Sequence, residues 1–255
     1  MSADRGMLLE IARAAALAAG AAIMEVYAGD FSVERKADDS PVTRADRRAE
    51  AIILERLRAA APDIPIIAEE EVAAYGLPAS APPRFWLVDP LDGTKEFIRR
   101  NGEFTVNIAL VEGDGPVLGI VHAPVPGVTY AASGTATRQH GSEAPRPIAA
   151  RPVPARRAVI VHSRSHADEQ RLAAYAAEHP EAERRVAGSS IKFCLIAAGE
   201  ADLYPRFGPT CEWDTAAGQA VLEAAGGAVT TLNGARLRYG KPGFLNPDFI
   251  ARGRS

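Results

Sequence analysis

The predicted fold is organised around the stretch Val88-Asp89-Pro90-Leu91-Asp92-Gly93-Thr94. Residues 85–88 are a short apolar run, typical of a buried strand that ends in a turn. Pro90 fixes its own φ, and Gly93 permits a backbone conformation closed to other residues, so both aspartates and the carbonyl of Leu91 can face one point. Carboxylate and carbonyl oxygens are the ligands that Mg²⁺ accepts. An acidic turn explains the same residues, and alone they favour neither interpretation.

The overall composition is ordinary for a globular protein of one large domain or two small ones. The 255 residues are 47% hydrophobic and 24% charged, with a net charge of −3. This charge provides no bulk attraction to nucleic acid or anionic lipid, so a phosphorylated substrate must be captured locally, by metals or a few cations. The two cysteines, Cys194 and Cys211, lack metal or redox spacing and fit a reducing cytosol.

The N-terminal residues 7–27 are rich in alanine, as a targeting or membrane segment can be. Glu10, Arg13 and Glu25 interrupt the apolar run. A signal peptide has an uninterrupted apolar core, and a spanning helix tolerates few charges. We therefore predict an amphipathic helix of a cytoplasmic protein, with no integral membrane segment.

A second group of acids, Glu69-Glu70-Glu71, follows the short apolar run at residues 64–68. Three successive acids are usually a solvated loop or the start of a helix. However, Asp89 also follows an apolar run, about twenty residues further on. Because the ends of neighbouring strands form a shared edge, Glu69 and Asp89 are expected to lie at one rim of a sheet.

The remaining patterns predict two dissimilar halves. Thr43 is expected to cap a helix over 44–60, and residues 104–111 and 117–122 to form an antiparallel hairpin. Asp214 stands where it can cap a helix that runs to residue 225. The other predicted elements are strands at 128–132, 158–161 and 201–204, helices at 8–26, 167–178 and 191–198, and a closing hairpin over 228–238. The polar segment 133–154 suggests an α+β domain at 1–152 and an α/β domain at 153–255.

Three motifs together resemble the inositol monophosphatase superfamily of Mg²⁺-dependent, lithium-sensitive phosphatases. They are Asp89-Pro90-Leu91-Asp92-Gly93-Thr94, Glu69-Glu70 after a short strand, and Trp213-Asp214-Thr215-Ala216-Ala217-Gly218. Longer stretches are similar to its 3'(2'),5'-bisphosphate nucleotidase branch, at residues 39–43, 86–110, 163–168, 188–194 and 203–210. The resemblance implies a layered α-β-α-β-α sandwich.

The resemblance also implies a metal site. Its ligands would be Glu69, Asp89, the Leu91 carbonyl, Asp92 and Asp214, around two Mg²⁺ ions bridged by Asp89, with room for a third, weaker ion near Glu69. Such a site is also expected on chemical grounds. A phosphate monoester dianion repels hydroxide, so its hydrolysis needs cations that neutralise charge and generate a nucleophile. Four carboxylates balance the charge of two divalent ions.

The resemblance assigns catalysis to Thr94, with Glu69 or Asp46 as proton acceptor for the attacking water. The backbone N–H groups of Gly93 and Thr94 are expected to cradle the phosphate. The expected substrate-binding residues are Gly93, Thr94, Ser163, His166, Gly188, Ser189, Lys192, Arg206 and Asp214. Taken alone, His166 indicates a surface helix cap and Lys192 a solvated helix face. Lys36 and Asp39, on a polar loop, are expected to close over the site.

The implied function is hydrolysis of the 3'-phosphate of adenosine 3',5'-bisphosphate to AMP and phosphate in sulfate assimilation. 3'-Phosphoadenylyl sulfate would be a second substrate; which of the two is preferred stays open, as does the oligomeric state. One alternative is an inositol-1-phosphate or fructose-1,6-bisphosphate phosphatase with the same metals. Another is a non-catalytic protein that senses nucleotides or metals. Peripheral association with the inner membrane would come from family analogy only, without support in the composition.

Overall fold

The computed structural model describes residues 2–36, 41–164 and 168–255. The helices are α1 (Ser2–Ala28), α2 (Arg44–Ala60), α3 (Glu69–Tyr75), α4 (Thr94–Ile98), α5 (Glu169–Ala177), α6 (Ile191–Ala197) and α7 (Ala216–Ala224). The strands are β1 (Val33–Arg35), β2 (Pro41–Thr43), β3 (Ile66–Ala68), β4 (Arg84–Asp92), β5 (Thr105–Glu112), β6 (Gly115–Ala123), β7 (Val128–Ala132), β8 (Ala136–His140), β9 (Arg146–Pro147), β10 (Val159–His162), β11 (Glu183–Val186), β12 (Leu203–Arg206), β13 (Thr210–Cys211), β14 (Ala228–Thr231), β15 (Leu245–Asn246) and β16 (Phe249–Arg252).

Two sheets and three helical layers form the core. The larger sheet has seven strands in chain order from β3 to β9, and the smaller has the order β11-β10-β12-β16-β14. Helices α1 and α2 pack on one face of the larger sheet. Helix α7 packs on the opposite face of the larger sheet, where it contacts β5 and β6. Helices α6 and α7 also contact the smaller sheet. Tyr175 of α5 packs on the far side of the smaller sheet. The layered α-β-α-β-α sandwich is therefore confirmed.

Strand β4 shows why the larger sheet needs cover on both faces. Successive side chains in a strand point to opposite faces. Trp86 and Val88 belong to the cluster beneath α1 and α2, whereas Phe85 and Leu87 belong to the cluster shared with α7. All four are buried, so the strand appears in the sequence as an unbroken apolar run.

The apolar composition of α1 is explained by packing. By length and hydropathy, residues 5–28 could cross a membrane. However, Ala12, Ala15, Ala19 and Ile23 are buried against α2 and the larger sheet. The helix thus supplies one outer layer of the fold.

The chain passes from the larger sheet to the smaller one between Pro147 and Val159. One hydrophobic cluster nevertheless joins them, because it contains Phe85 and Val121 of the larger sheet together with Val161 and Phe249 of the smaller. The division at residues 152 and 153 stays a prediction.

The sheets contain pairings that the sequence patterns did not predict. The segment 133–154, predicted as a boundary, contributes β8 and β9 to the larger sheet, because β7 offers β8 an antiparallel edge. The closing hairpin over 228–238 forms as a short turn, with the antiparallel bridge Thr230–Arg236 and backbone hydrogen bonds from Thr231 to Ala235 and from Leu237 to Val229. In addition, β14 pairs with β16, which was not predicted. Strand β16 is far along the chain from β14, so local turn chemistry could not reveal this pairing.

His122 of β6 is a buried titratable group in the α1–sheet interface. Its Nδ1 lies 2.9 Å from the hydroxyl of Thr129, and a Cβ added at Gly20 of α1 would meet the imidazole at 2.6 Å. Burial lowers the pKa of His122 from 6.5 to about 4. The folded protein therefore holds this ring neutral under conditions in which the unfolded chain protonates it.

We expect this burial to make folding stability depend on pH. Because the folded pKa is lower than the unfolded one, the contribution is complete above about pH 6.5 and is lost as pH falls toward 4, by at most about 3 kcal/mol. The variant His122→Asn should show a flatter fall in unfolding free energy between pH 7.5 and 5, measured by urea denaturation. Equal slopes for variant and wild type would contradict the assignment.

Candidate active site

A β-bulge near the end of β4 shapes the central motif. Asp89 pairs with Asn107 of β5 and Asp92 with Thr105, so three steps on β4 face two on β5. The strand was expected to end at residue 88, but it continues through the bulge to Asp92. Gly93 then adopts a φ of 95° and begins the short helix α4. The extra residue and the left-handed glycine together turn the chain away from the sheet.

Glu69 and Asp89 lie at the same edge of the larger sheet, as their positions after two apolar runs predict. Strands β3 and β4 are parallel, with Ala68 opposite Val88. The next residue on each strand is an acid, and the two carboxyl groups are in hydrogen-bonding contact. The parallel pairing of two short strands therefore creates the first pair of acids.

Asp46 connects helix α2 to the motif. Its Oδ2 accepts hydrogen bonds from the backbone N–H and the hydroxyl of Thr43, both at 2.8 Å, in a capping box that begins α2. Its Oδ1 accepts a hydrogen bond from the Thr94 hydroxyl at 3.0 Å. Burial raises the pKa of Asp46. The predicted cap at Thr43 is confirmed, and the same carboxylate holds Thr94 in place.

Asp214 enters the site from the other half of the chain. It ends a 3₁₀ turn, Glu212–Asp214, and its Oδ2 accepts the backbone N–H of Cys211 at 2.8 Å. The expectation that Asp214 caps α7 is wrong. Thr215 precedes that helix instead, because the turn directs the Asp214 carboxylate back along the chain.

Neutral donors join the aspartates across the two halves. Ser190 Oγ lies 2.8 Å from Asp92 Oδ2 and 2.7 Å from the carbonyl oxygen of Asp214. The amide of Asn107 donates to Asp92 Oδ2 at 3.2 Å and to Ser190 Oγ at 2.9 Å. Neither Asn107 nor Ser190 was predicted. Asn107 could have been found as a polar residue within an apolar strand. Ser190 could have been found because it lies in the stretch 188–194, which resembles the nucleotidase branch.

A buried acid also supports the turn that carries Asp214. Glu212 is fully buried and accepts from Lys241 Nζ at 2.6 Å and from the backbone N–H groups of Gly240 and Lys241 at 2.7 and 3.0 Å. The amide of Asn246 donates to the Cys211 carbonyl at 2.8 Å. These bonds tie the 3₁₀ turn to residues 240–246.

The site concentrates negative charge in a buried position. Burial, followed by the charges of Glu69, Asp92 and Asp214, raises the pKa of Asp89 well above its ordinary value. Burial and the charges of Asp92 and Glu69 do the same to the pKa of Asp214. Burial also raises the pKa of Asp92, although the charge of Lys192 and the bond to Ser190 work against that rise. Asp89 and Asp214 are therefore disfavoured as anions both by burial and by the neighbouring carboxylates.

The donor set fits divalent cations by its chemistry. Within the described ranges, no three of these acids converge closely enough to hold a metal ion as they stand. The Lys36 ammonium lies 2.6 Å from Glu69 Oε1 and 2.6 Å from Glu70 Oε1. Buried carboxylates that raise one another's pKa are the arrangement that a hard cation relieves. Asp39 lies outside the described residues.

A cleft of about 240 Å³ lies between the two halves. Most of the predicted site residues line it: Glu69, Asp89, Leu91, Asp92, Gly93, Thr94, Ser163, Gly188, Ser189, Lys192, Arg206 and Asp214. Asp46 lies behind Thr94, and His166 lies outside the described residues. Arg164 and Tyr204 also line the cleft and were not predicted. The fold thus brings together residues that are up to 145 positions apart in the chain, from Glu69 to Asp214.

Cations and a serine with a strained backbone also line the cleft. Ser189 has a φ of 43°, and its buried hydroxyl has no hydrogen-bond partner in the described chain. Lys192 is buried, not solvated, and donates to the carbonyls of Ser189 at 2.5 Å and Ala187 at 3.2 Å. Arg206 donates to Ser163 Oγ at 2.9 Å. A strained residue with an unsatisfied hydroxyl is typical of a ligand-binding position.

Known proteins resemble this chain over nearly its whole length. The family description "Inositol monophosphatase family" matches residues 4–252. The 3'(2'),5'-bisphosphate nucleotidase CysQ of Salmonella typhimurium is 52% identical, over 91% of this chain and 94% of its own. That of Escherichia coli K12 is 49% identical with the same coverage.

Solved structures agree with these relatives. CysQ from Bacteroides thetaiotaomicron has a TM-score of 0.82 at 39% identity, covering 98% of both chains. An inositol monophosphatase from Anabaena has a TM-score of 0.79 at 28% identity, covering 99% of this chain and 92% of its own. The matched residues include the bulged strand, the acid pair and the turn at Asp214. The chain therefore belongs to the inositol monophosphatase family.

Proposed function

We propose that this protein is a Mg²⁺-dependent phosphatase that removes the 3'-phosphate of adenosine 3',5'-bisphosphate, giving AMP and phosphate. The observation that carries the proposal is the charge of the cleft, which is lined by the carboxylates of Glu69, Asp89, Asp92 and Asp214 and also by the cations Lys192 and Arg206. Such a cleft can hold a scissile phosphate beside metals and a second anionic group beside cations. The names of the relatives at about 50% identity support this substrate.

The metal ligands in this proposal are Glu69, Asp89, the Leu91 carbonyl, Asp92 and Asp214. Bound Mg²⁺ would supply charge that offsets the phosphate dianion and would lower the pKa of water, so that a nucleophile forms at neutral pH. The Lys36 ammonium already neutralises Glu69 and Glu70, which supports two ions rather than three. Members of the family are the basis for choosing Mg²⁺.

Thr94 is the proposed positioning group for the attacking water. Its hydroxyl proton is directed to Asp46 Oδ1 at 3.0 Å, so its lone pairs are left to accept a proton from water in the cleft. Asp46 is buried with a raised pKa, which makes it a better proton acceptor than an exposed carboxylate. A proton can therefore pass from water through Thr94 to Asp46. The backbone N–H groups of Gly93 and Thr94 would bind the phosphate oxygens.

Conversion of 3'-phosphoadenylyl sulfate to adenylyl sulfate is part of the same proposal, since the scissile 3'-phosphate is identical. A role in sulfur metabolism follows from these substrates. Cys194 and Cys211 form no disulfide in the described chain, which supports a reducing compartment such as the cytoplasm.

We expect phosphate release from adenosine 3',5'-bisphosphate to exceed that from inositol 1-phosphate and fructose 1,6-bisphosphate by about tenfold or more in kcat/KM. The reason is that the cations Lys192 and Arg206 in the cleft favour a substrate with a second anionic group. EDTA should abolish activity on all three substrates. A preference for inositol 1-phosphate would retain the metal chemistry but reject the nucleotide assignment. A Mg²⁺-loaded protein inactive on every monoester would favour the sensing alternative.

The variant Asp89→Asn should lose more than ~100-fold in kcat, because it removes the ligand proposed to bridge the metals. The metal-free variant should unfold at the same or a higher temperature than wild type, since Asn removes a repelling buried charge. Calorimetric titration with Mg²⁺ would show the loss of binding. The matched control is Asp63→Asn at an exposed position. Near-normal turnover in Asp89→Asn would reject the proposed site.

The variant Thr94→Val should lower kcat by about 10²-fold or more with a smaller change in KM, because the proton path from water to Asp46 is interrupted. Thr94→Ser keeps the hydroxyl and should restore most of the rate. Steady-state kinetics with saturating Mg²⁺ measure both variants. If Thr94→Val and Thr94→Ser lose the same amount, packing of the methyl group would matter and the proton path would be rejected.

A further inference from the structure

The rim of the cleft contains a close approach between the two halves of the chain. The carbonyl oxygen of Glu103 would lie 3.1 Å from a Cβ at Gly93 and 2.5 Å from a Cβ at Gly188. Only glycine leaves room for this contact at position 188. The Glu103 backbone is therefore packed between the central motif and the loop before α6, so its carboxylate is presented at the rim.

Arg164 approaches this carboxylate from the other half, just after β10. Its Nη2 donates to Glu103 Oε1 at 3.0 Å and to Oε2 at 3.1 Å, and its Nε donates to Oε2 at 3.3 Å. Arg164 also lines the cleft. Two nitrogens of the guanidinium thus bind the two oxygens of one carboxylate, and a guanidinium binds a phosphate or sulfate group with the same forked geometry.

Two further cations that line the cleft, Lys192 and Arg206, are fixed by buried contacts. Lys192 is 3% exposed and bonded to two backbone carbonyls. Arg206 is 7% exposed and bonded to Ser163 and to the carbonyl of Pro209. The side chains of Arg164 and Glu103 are 41% and 30% exposed. An exposed ion pair of this kind contributes little to stability, so Arg164 can exchange its partner at little cost.

We propose that Arg164 is a specificity residue that leaves Glu103 and binds the second anionic group of the substrate, the one that is not hydrolysed. This inference rests on the proposed function. The Glu103 carboxylate occupies Arg164 in the resting protein and returns to water when the substrate's dianion replaces it. A substrate with a single phosphate cannot make this exchange, so the pair discriminates in favour of bisphosphates and phosphosulfates.

The test compares adenosine 3',5'-bisphosphate with adenosine 3'-monophosphate, which has the same scissile bond and no second anion. In Arg164→Gln, the ratio of the two kcat/KM values should fall about tenfold or more, through a higher KM for the bisphosphate. In Glu103→Gln, the KM for the bisphosphate should fall about two- to fivefold, because Arg164 is held less tightly. Arg164→Lys keeps the charge without the fork and should give an intermediate ratio.

The matched control is Arg185→Gln, which breaks another exposed arginine–glutamate pair, Arg185–Glu183 at 3.2 Å, on strand β11. Its ratio should stay that of wild type. A ratio in Arg164→Gln equal to that in Arg185→Gln would overturn the assignment of Arg164. A raised bisphosphate KM in Glu103→Gln would overturn the exchange, because Glu103 would then be needed to hold Arg164. Wild-type protein that releases no phosphate from the bisphosphate would overturn the proposed function, and this inference with it.

Discussion

Repulsion among buried carboxylates is the constraint on which the rest of the structure depends. Burial and the charges of neighbouring carboxylates raise the pKa of Asp89 and of Asp214, and a chain free to relax would move these groups apart or expose them to water. Neutral donors prevent this: Ser190 bridges Asp92 to the backbone of Asp214, and the Cys211 N–H holds the Asp214 carboxylate. The fold thus keeps a cluster of negative charge ready for cations at a cost in its own stability.

The five layers of the fold hold the carboxylates between the two sheets. The larger sheet presents acids where parallel strands β3 and β4 end, and the bulge in β4 redirects the chain into α4. The smaller half contributes Asp214 through a 3₁₀ turn tied down by the buried Glu212–Lys241 pair. Because one hydrophobic cluster spans both sheets, the two sets of ligands are fixed relative to each other. Glu103 and Arg164 form an ion pair that joins the same two halves of the chain.

Sequence patterns succeeded where a structure depends on near neighbours. The capping box at Thr43 and Asp46, the hairpin of β5 and β6, and the turn at Gly93 are all encoded within a few residues. Patterns failed where a distant partner decides. The β14–β16 pairing and strands β8 and β9 needed an edge supplied from elsewhere, and Asp214 faces Cys211 because a buried turn, not the following helix, sets its direction.

The sequence by itself determined the fold class, the family and the residue types of the site, because the motif spacing restricts the backbone locally and the apolar runs specify buried strands. Tertiary structure alone decided which groups share the cleft. Asn107 and Ser190 join Asp92, Lys36 pairs with Glu69, and Arg164 pairs with Glu103 across 61 residues of chain. Such contacts depend on how the layers pack, since no local pattern records the partner that a side chain meets after folding.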